Sequence, residues 1–260
     1  MNDLLAADEP APVRILRPEG ASDLLLAADH AGRLIPRALG TLGLDETDRG
    51  RHIAWDIGIA TVTKNLAEML DATAILQVYS RLVIDCNRAP SHPTSIPEIS
   101  ESTAIPGNEG LTEEARAVRR QAIFDPYHKA LAGLIDRRIA AGRRTVLIAM
   151  HSFTPVFKSV ARSVEIGVLF HHETPLSRIM LELLRAEGDL VVGANEPYAI
   201  TDDSDYTVPV HGEARGLDHV EIEIRQDLIG DAAGQAAWAK RMARLLAEAD
   251  NRLRAAARPG

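Results

Sequence analysis

Cysteine is nearly absent from this 260-residue chain. Cys86 stands alone, so no disulfide can form within the chain and a cysteine-cluster metal site is excluded. Aromatic residues are only 4%, too few for a platform on which single-stranded nucleic acid could stack. Basic side chains (29) are outnumbered by acidic ones (37), and the net charge of -8 argues against a nucleic-acid backbone as partner. That balance still allows a local basic pocket for a small anion. No apolar run approaches the roughly 20 residues of a membrane helix, so no membrane partner is expected. Glycine-rich phosphate loops of Walker or dinucleotide type are missing, and so is the Gly-x-Ser-x-Gly elbow of serine hydrolases. Residues Met1 to Arg17 carry Asp3, Asp8 and Glu9 where a secretory signal would be basic and then apolar, which makes the cytoplasm the expected compartment.

What remains is 46% apolar and 25% charged, the composition of an ordinary globular chain and not of a disordered tail or a rod. Residues 1–20, with Pro10, Pro12 and Pro18, read as a loosely packed leader, and 21–260 as one domain. Asp23–Ala28 is an apolar run that hands over to Asp29-His30-Ala31-Gly32, as a buried strand would. Glu46–Leu70 has helical periodicity. Ala74–Val78 and Leu82–Ile84 look like strands around Tyr79-Ser80-Arg81. Residues 89–110 form a long proline-containing loop, of the kind that is usually functional. Thr112–Arg138 reads as one helix, capped by Thr112 and kinked or split at Pro126. Thr145–Met150 is the clearest strand, ending at His151. Ser163–Phe170 and Asp189–Val192 are further strands, with a helix over Leu176–Glu187. Val220–Ile224 alternates strictly, and a last helix spans about Gly234–Ala256. Strands alternating with helices predict a single α/β domain, its mixed and mostly parallel sheet lying between helix layers.

Functional residues of such sheets gather at the carboxyl ends of the strands, where His30 and His151 both fall. Two imidazoles from neighbouring strands, joined by one carboxylate, make a three-ligand metal site with an open position for water. Asp56, in His52-Ile53-Ala54-Trp55-Asp56-Ile57-Gly58, is the carboxylate candidate, and Asp29 is placed to orient an imidazole. The segment Ser80-Arg81-Leu82-Val83-Ile84-Asp85-Cys86-Asn87-Arg88 sets an arginine at each end and an asparagine beside the second. Such a set suits a substrate carboxylate, although Asp85 could equally neutralise one arginine. Glu221 and Glu223 share one face of the late strand, and either could serve as general base. His171-His172-Glu173 reads as a polar group of a loop or strand end and not a metal cluster, since adjacent strand residues point to opposite faces. His92, His128, His211 and His219 carry little signal individually.

Taken together, Asp29 to Gly32 with Pro36, His52 to Gly58, Ser80 to Arg88 and His151-Ser152-Phe153-Thr154-Pro155 resemble the N-formylglutamate amidohydrolase family, in order along residues 22 to 228. The family is similar in fold to zinc-dependent exopeptidases of the carboxypeptidase and aspartoacylase kind. The resemblance implies a zinc-dependent hydrolase (zinc, or another divalent transition metal) that cleaves the amide of an N-formyl or N-acyl amino acid, N-formyl-L-glutamate first. It implies His30, Asp56 and His151 as metal ligands; the position three residues after His30, which carries a ligand in carboxypeptidase-like enzymes, is Arg33 here. It implies Arg81, Asn87 and Arg88 as the carboxylate grip, and it favours Glu223 over Glu221 as general base. Arg162 is a candidate partner for a second acidic group on the substrate. A zinc carboxypeptidase or amidase acting on a peptide or cell-wall fragment, and a non-catalytic anion-binding protein, are the competing expectations.

Overall fold

The computed structural model describes residues 4–201 and 205–256. In chain order the strands are β1 (Val13–Leu16), β2 (Leu24–Ala28), β3 (Thr73–Gln77), β4 (Ile99–Ser100), β5 (Thr103–Ala104), β6 (Val146–Phe153), β7 (Val156–Phe157), β8 (Val160–Ala161), β9 (Ile166–Leu169), β10 (Val192–Ala194) and β11 (Asp218–Arg225). The helices are α1 (Glu46–Gly50), α2 (Ile59–Leu70), α3 (Glu113–Arg119), α4 (Asp125–Ala140), α5 (Pro175–Ala186) and α6 (Ala232–Ala256). No described helix is long and apolar enough to cross a membrane.

Seven strands form one sheet in the order β1-β3-β2-β6-β11-β9-β10. Strands β3, β2, β6 and β11 run parallel, while β1 pairs antiparallel with β3 and β9 antiparallel with β11, β10 then running parallel to β9, so the sheet is mixed and mostly parallel. Strand alternation divides the core into two layers. Leu24, Leu26, Val146, Ile148, Val220 and Ile222 pack against α2, α5 and α6. Leu25, Ala27, Ile75 and Leu147 face Tyr127, Leu131 and Ile135 of α4 on the other side. Burying the apolar side chains of these strands stabilises each by about 1.5–3 kcal/mol, which is why the central strands tolerate so few polar residues. The polar exceptions on the α4 side are therefore informative.

Four expectations are corrected. Residues 1–20 are not loose throughout: Val13–Leu16 pair with β3, Leu4 is buried, and Tyr79 Oη donates to the Pro10 carbonyl at 2.7 Å. Glu46–Leu70 is two helices, separated by a turn that holds Asp56. Gly58 closes that turn at φ 84°, and a Cβ there would lie 2.2 Å from the Ile229 carbonyl oxygen, so the backbone leaves the helical path where only glycine fits. Leu82–Ile84 is a buried turn and not a strand. Its apolar side chains fill the layer under α4, and Arg119 donates to the Val83 carbonyl at 3.1 Å. Thr112 does cap its helix, accepting from the Ala115 N–H, but the helix passes through one widened turn, Arg120–Phe124, before Pro126, which has no N–H to give to the ordinary ladder.

Candidate active site

The carboxyl ends of β2 and β6 are adjacent, which brings their two histidines together with ring centroids 4.9 Å apart. His30 follows β2 by two residues, and His151 lies within β6. Asp56 reaches them from the turn before α2, whose path is pinned by the Asp56 N–H donating to the His30 carbonyl at 2.9 Å. Ligand atoms of His30, Asp56 and His151 all lie within 4.8 Å of one another, and all three side chains are buried.

The orientation of each ring is set from behind. His30 Nε2 donates to Asp85 Oδ1 at 2.7 Å, and His151 Nε2 faces Asp29 Oδ2 at 3.4 Å. Both Nδ1 atoms turn toward Asp56 Oδ2, at 3.6 Å from His30 and 3.0 Å from His151. An imidazole that gives its far N–H to a carboxylate presents a more basic lone pair on its other nitrogen, the usual preparation of a metal ligand. Asp29 thus orients an imidazole as expected, but that of His151; Asp85 serves His30. Asp29 is itself held by Thr207, whose hydroxyl donates to its Oδ1 at 2.9 Å.

A divalent transition ion fits this set. His30 Nδ1 is buried with no hydrogen-bond partner, and two nitrogens with one carboxylate oxygen form a donor set suited to zinc or its neighbours. Electrostatics agree. Six carboxyl groups line the cavity (Asp56, Asp85, Glu101, Asp205, Glu221 and Glu223) against two guanidinium groups, Arg81 and Arg88. Burial opposes charge on both Asp56 and Asp85, yet adjacent cations win: His30 and His151 hold Asp56 below the usual carboxylate range, and Arg81 with His30 does the same for Asp85. Burial also opposes protonation of the histidines, but Asp85 and Asp56 raise His30, and Glu221, Asp29 and Asp56 raise His151 well above its ordinary value. A cation entering here replaces protons already attracted to the same place.

Glu221 and Glu223 are buried on the α4 side of β11, which lies parallel to β6 with Glu223 in register with His151. Burial pushes both carboxyls up to about 8. They are not equivalent. Glu221 Oε2 lies 3.9 Å from His151 Nε2, the nitrogen facing Asp29 and not Asp56. Glu223 is one step nearer the strand end, in register with His151; the Oε2 atoms of both glutamates are buried without a hydrogen-bond partner.

The cavity, about 460 Å³, is lined on one side by Thr94, Pro97, Ile99, Ser100 and Glu101 of the 89–110 segment. Arg81 and Arg88 line it. Arg81 binds Asp85 through Nε (3.1 Å) and Nη2 (2.6 Å) and keeps Nη1 3.5 Å from Asp56. Arg81 therefore both neutralises Asp85 and remains in the cavity wall, so the two readings of this segment are compatible. Asn87 lines the cavity, but its amide is largely engaged. Its Nδ2 donates to Asp205 at 3.0 Å, and its Oδ1 accepts from the Tyr206 and Thr207 N–H groups. Arg162 does not line the cavity. It stands behind the aromatic wall of Phe153, Phe157 and Tyr198, stacking on all three rings and donating to Tyr198 Oη at 2.7 Å.

Sequence reasoning did not single out His52, Tyr198 or Asp205, all of which line the cavity. His52 opens a quoted motif, which was its only signal; Tyr198 and Asp205 lie in a stretch without periodicity. His128 and His211 form a buried stacked pair, 5.2 Å apart, that joins α4 to the turn Val208–Gly212. Burial lowers both, so they remain neutral, and their role is packing.

A family model for N-formylglutamate amidohydrolase matches residues 22–230. Among solved structures, gene product Atu2144 from Agrobacterium tumefaciens is similar at 39% identity and a TM-score of 0.93, over 96% of this chain and 99% of that one. The N-formylglutamate amidohydrolase from Ralstonia eutropha JMP134 shares 20% identity with a TM-score of 0.70, over 95% of this chain and 100% of that one, a likeness of fold. No curated protein matches the chain.

Proposed function

Because the chain belongs to the N-formylglutamate amidohydrolase family, we propose that it is a metal-dependent hydrolase of N-formyl or N-acyl amino acids, with N-formyl-L-glutamate as the leading substrate. The observation that carries this reading is the buried His30–Asp56–His151 set sharing one cavity with Glu223 and two arginines. His30, Asp56 and His151 would hold the ion, zinc being the best match to the donors. When bound, such an ion supplies Lewis-acid polarisation of a carbonyl and of water.

The chain's own groups supply the rest. Glu223 takes a proton from the attacking water and returns it to the leaving amine, the ionised form being restored when a cation occupies the neighbouring ligand set. Arg81 and Arg88 hold the substrate carboxylate, and fixing that end places the amide beside the ligand set. Asn87 positions Arg88 and the 205–207 segment; one amide hydrogen is left for the substrate. The 89–110 segment walls a cavity of about 460 Å³, a volume that suits a small substrate. Arg162, behind the wall, acts on a second acidic group only through Tyr198.

Formate release from a panel of N-formyl and N-acetyl amino acids, with and without chelator, tests the reading. N-formyl-L-glutamate should be hydrolysed fastest, chelation should abolish the activity, and Glu223→Gln should lower kcat by about 10²–10⁴-fold without loss of fold. Chelator-resistant hydrolysis, or equal rates on neutral amino acids, would retire the metal or the substrate respectively.

A further inference from the structure

A second group of metal-ligating side chains lies outside the cavity, at the start of β11. The strand rule that sends His171 and His172 to opposite faces does not apply, because β9 ends at Leu169 and both residues lie in the bend before α5. Both rings turn to one carboxylate, and it is not the adjacent one. Glu173 pairs with Arg178, at 2.7 Å, whereas Glu213 receives His171 Nδ1 at 3.1 Å and His172 Nδ1 at 3.5 Å. Ligand atoms of His171, His172 and Glu213 all lie within 4.8 Å of one another.

An independent observation concerns His219. Its Nδ1 donates to the Leu217 carbonyl at 2.8 Å, which leaves the lone pair on Nε2. That Nε2 is buried, has no hydrogen-bond partner, and lies 3.7 Å from Glu213 Oε1. The side chain is 5% exposed, so water does not satisfy it. Gly212 makes room for the ring: a Cβ there would come within 2.8 Å of His219 Cγ. A cavity of about 360 Å³, lined by His172, Glu213 and His219 among others, opens onto the group.

We infer that His171, His172 and Glu213 form a second site for a divalent transition-metal ion, distinct from the His30–Asp56–His151 set, with His219 facing the Glu213 carboxylate from the buried side. Two imidazoles and one carboxylate select zinc, cobalt or nickel over magnesium or calcium, which require oxygen donors. The ion joins three segments: the bend before α5, the turn around Glu213 and the first residues of β11. The second of these follows directly on the stretch that carries Thr207, the residue holding Asp29. The role that follows is a clip between these three segments.

The test uses chain stripped with chelator, in a His30→Ala/His151→Ala background where the first set is silent. Titration with Zn²⁺ by calorimetry should reveal about one saturable equivalent. Adding His172→Ala, in an exposed bend, should weaken it by at least about tenfold, while Glu173→Ala leaves it unchanged. Absence of saturable binding, or binding indifferent to His172→Ala, overturns the site. Should the double background fail to fold, the same substitution in the otherwise unaltered chain decides the matter: zinc retained per chain after gel filtration should fall by one equivalent in His172→Ala, and equal retention overturns the site.

Discussion

Two carboxylates that do not point at the ligand set decide how well it would hold an ion. Asp85 accepts from the far nitrogen of His30 at 2.7 Å, and Asp29 faces that of His151 at 3.4 Å. Asp85→Asn and Asp29→Asn should each weaken zinc binding by about 10–100-fold, while sparing most of the fold, as measured by competition with a chromogenic chelator. Asp85→Asn should have the larger effect on stability, since it also leaves Arg81 without its closest counter-charge. The histidines themselves were legible in the sequence, because each follows an apolar strand and strand ends are where such chemistry collects. Their carboxylate partners were not. Asp85 is 55 residues from His30 and looked like a companion for the arginines; Asp29, next to His30 in sequence, serves the other ring. Adjacency along a chain predicts a contact only where the backbone is regular, and Glu173 against Glu213 repeats that lesson.

Elements were readable where burial imposes a period and misread where a single backbone event breaks it. Strands β2, β6 and β11 were all visible, since a strand covered on both faces is apolar apart from its functional positions. The Glu46–Leu70 periodicity concealed a break, because the turn residues Ile53 and Ala54 are buried as helix residues would be. Gly58 makes that break, and its left-handed backbone with the Ile229 carbonyl against it leaves no room for a side chain. Gly58→Ala should cost about 1–3 kcal/mol in backbone strain alone, with steric displacement added. It should also weaken metal binding, because Asp56 is two residues away. Denaturant unfolding and zinc titration of the same variant check both effects.

The whole molecule concentrates negative charge around one cavity, and its stability should register that. In chelated protein, Glu221 and Glu223 hold protons up to about 8 against an ordinary 4.5, so the folded chain binds more protons than the unfolded one across that window. Their contribution is fully favourable below 4.5 and is lost as pH rises toward 8. Glu221→Gln removes one such group, and its melting-temperature advantage over the unaltered chain should widen between pH 5 and 8 and then level off. Saturating zinc should raise the melting temperature of the stripped chain, by about 4 kcal/mol of added stability at a thousandfold excess over Kd.

The sheet order adds a last consequence. His151 and Glu223 belong to β6 and β11, and His30 follows β2 by two residues; these are consecutive strands in the middle of seven, so the reactive groups stand on or beside the backbone least able to open by fraying. Amide deuteration should reach these strands last and together. Heat should then extinguish turnover in the same step that melts the fold, with no earlier stage in which the protein is intact but inert.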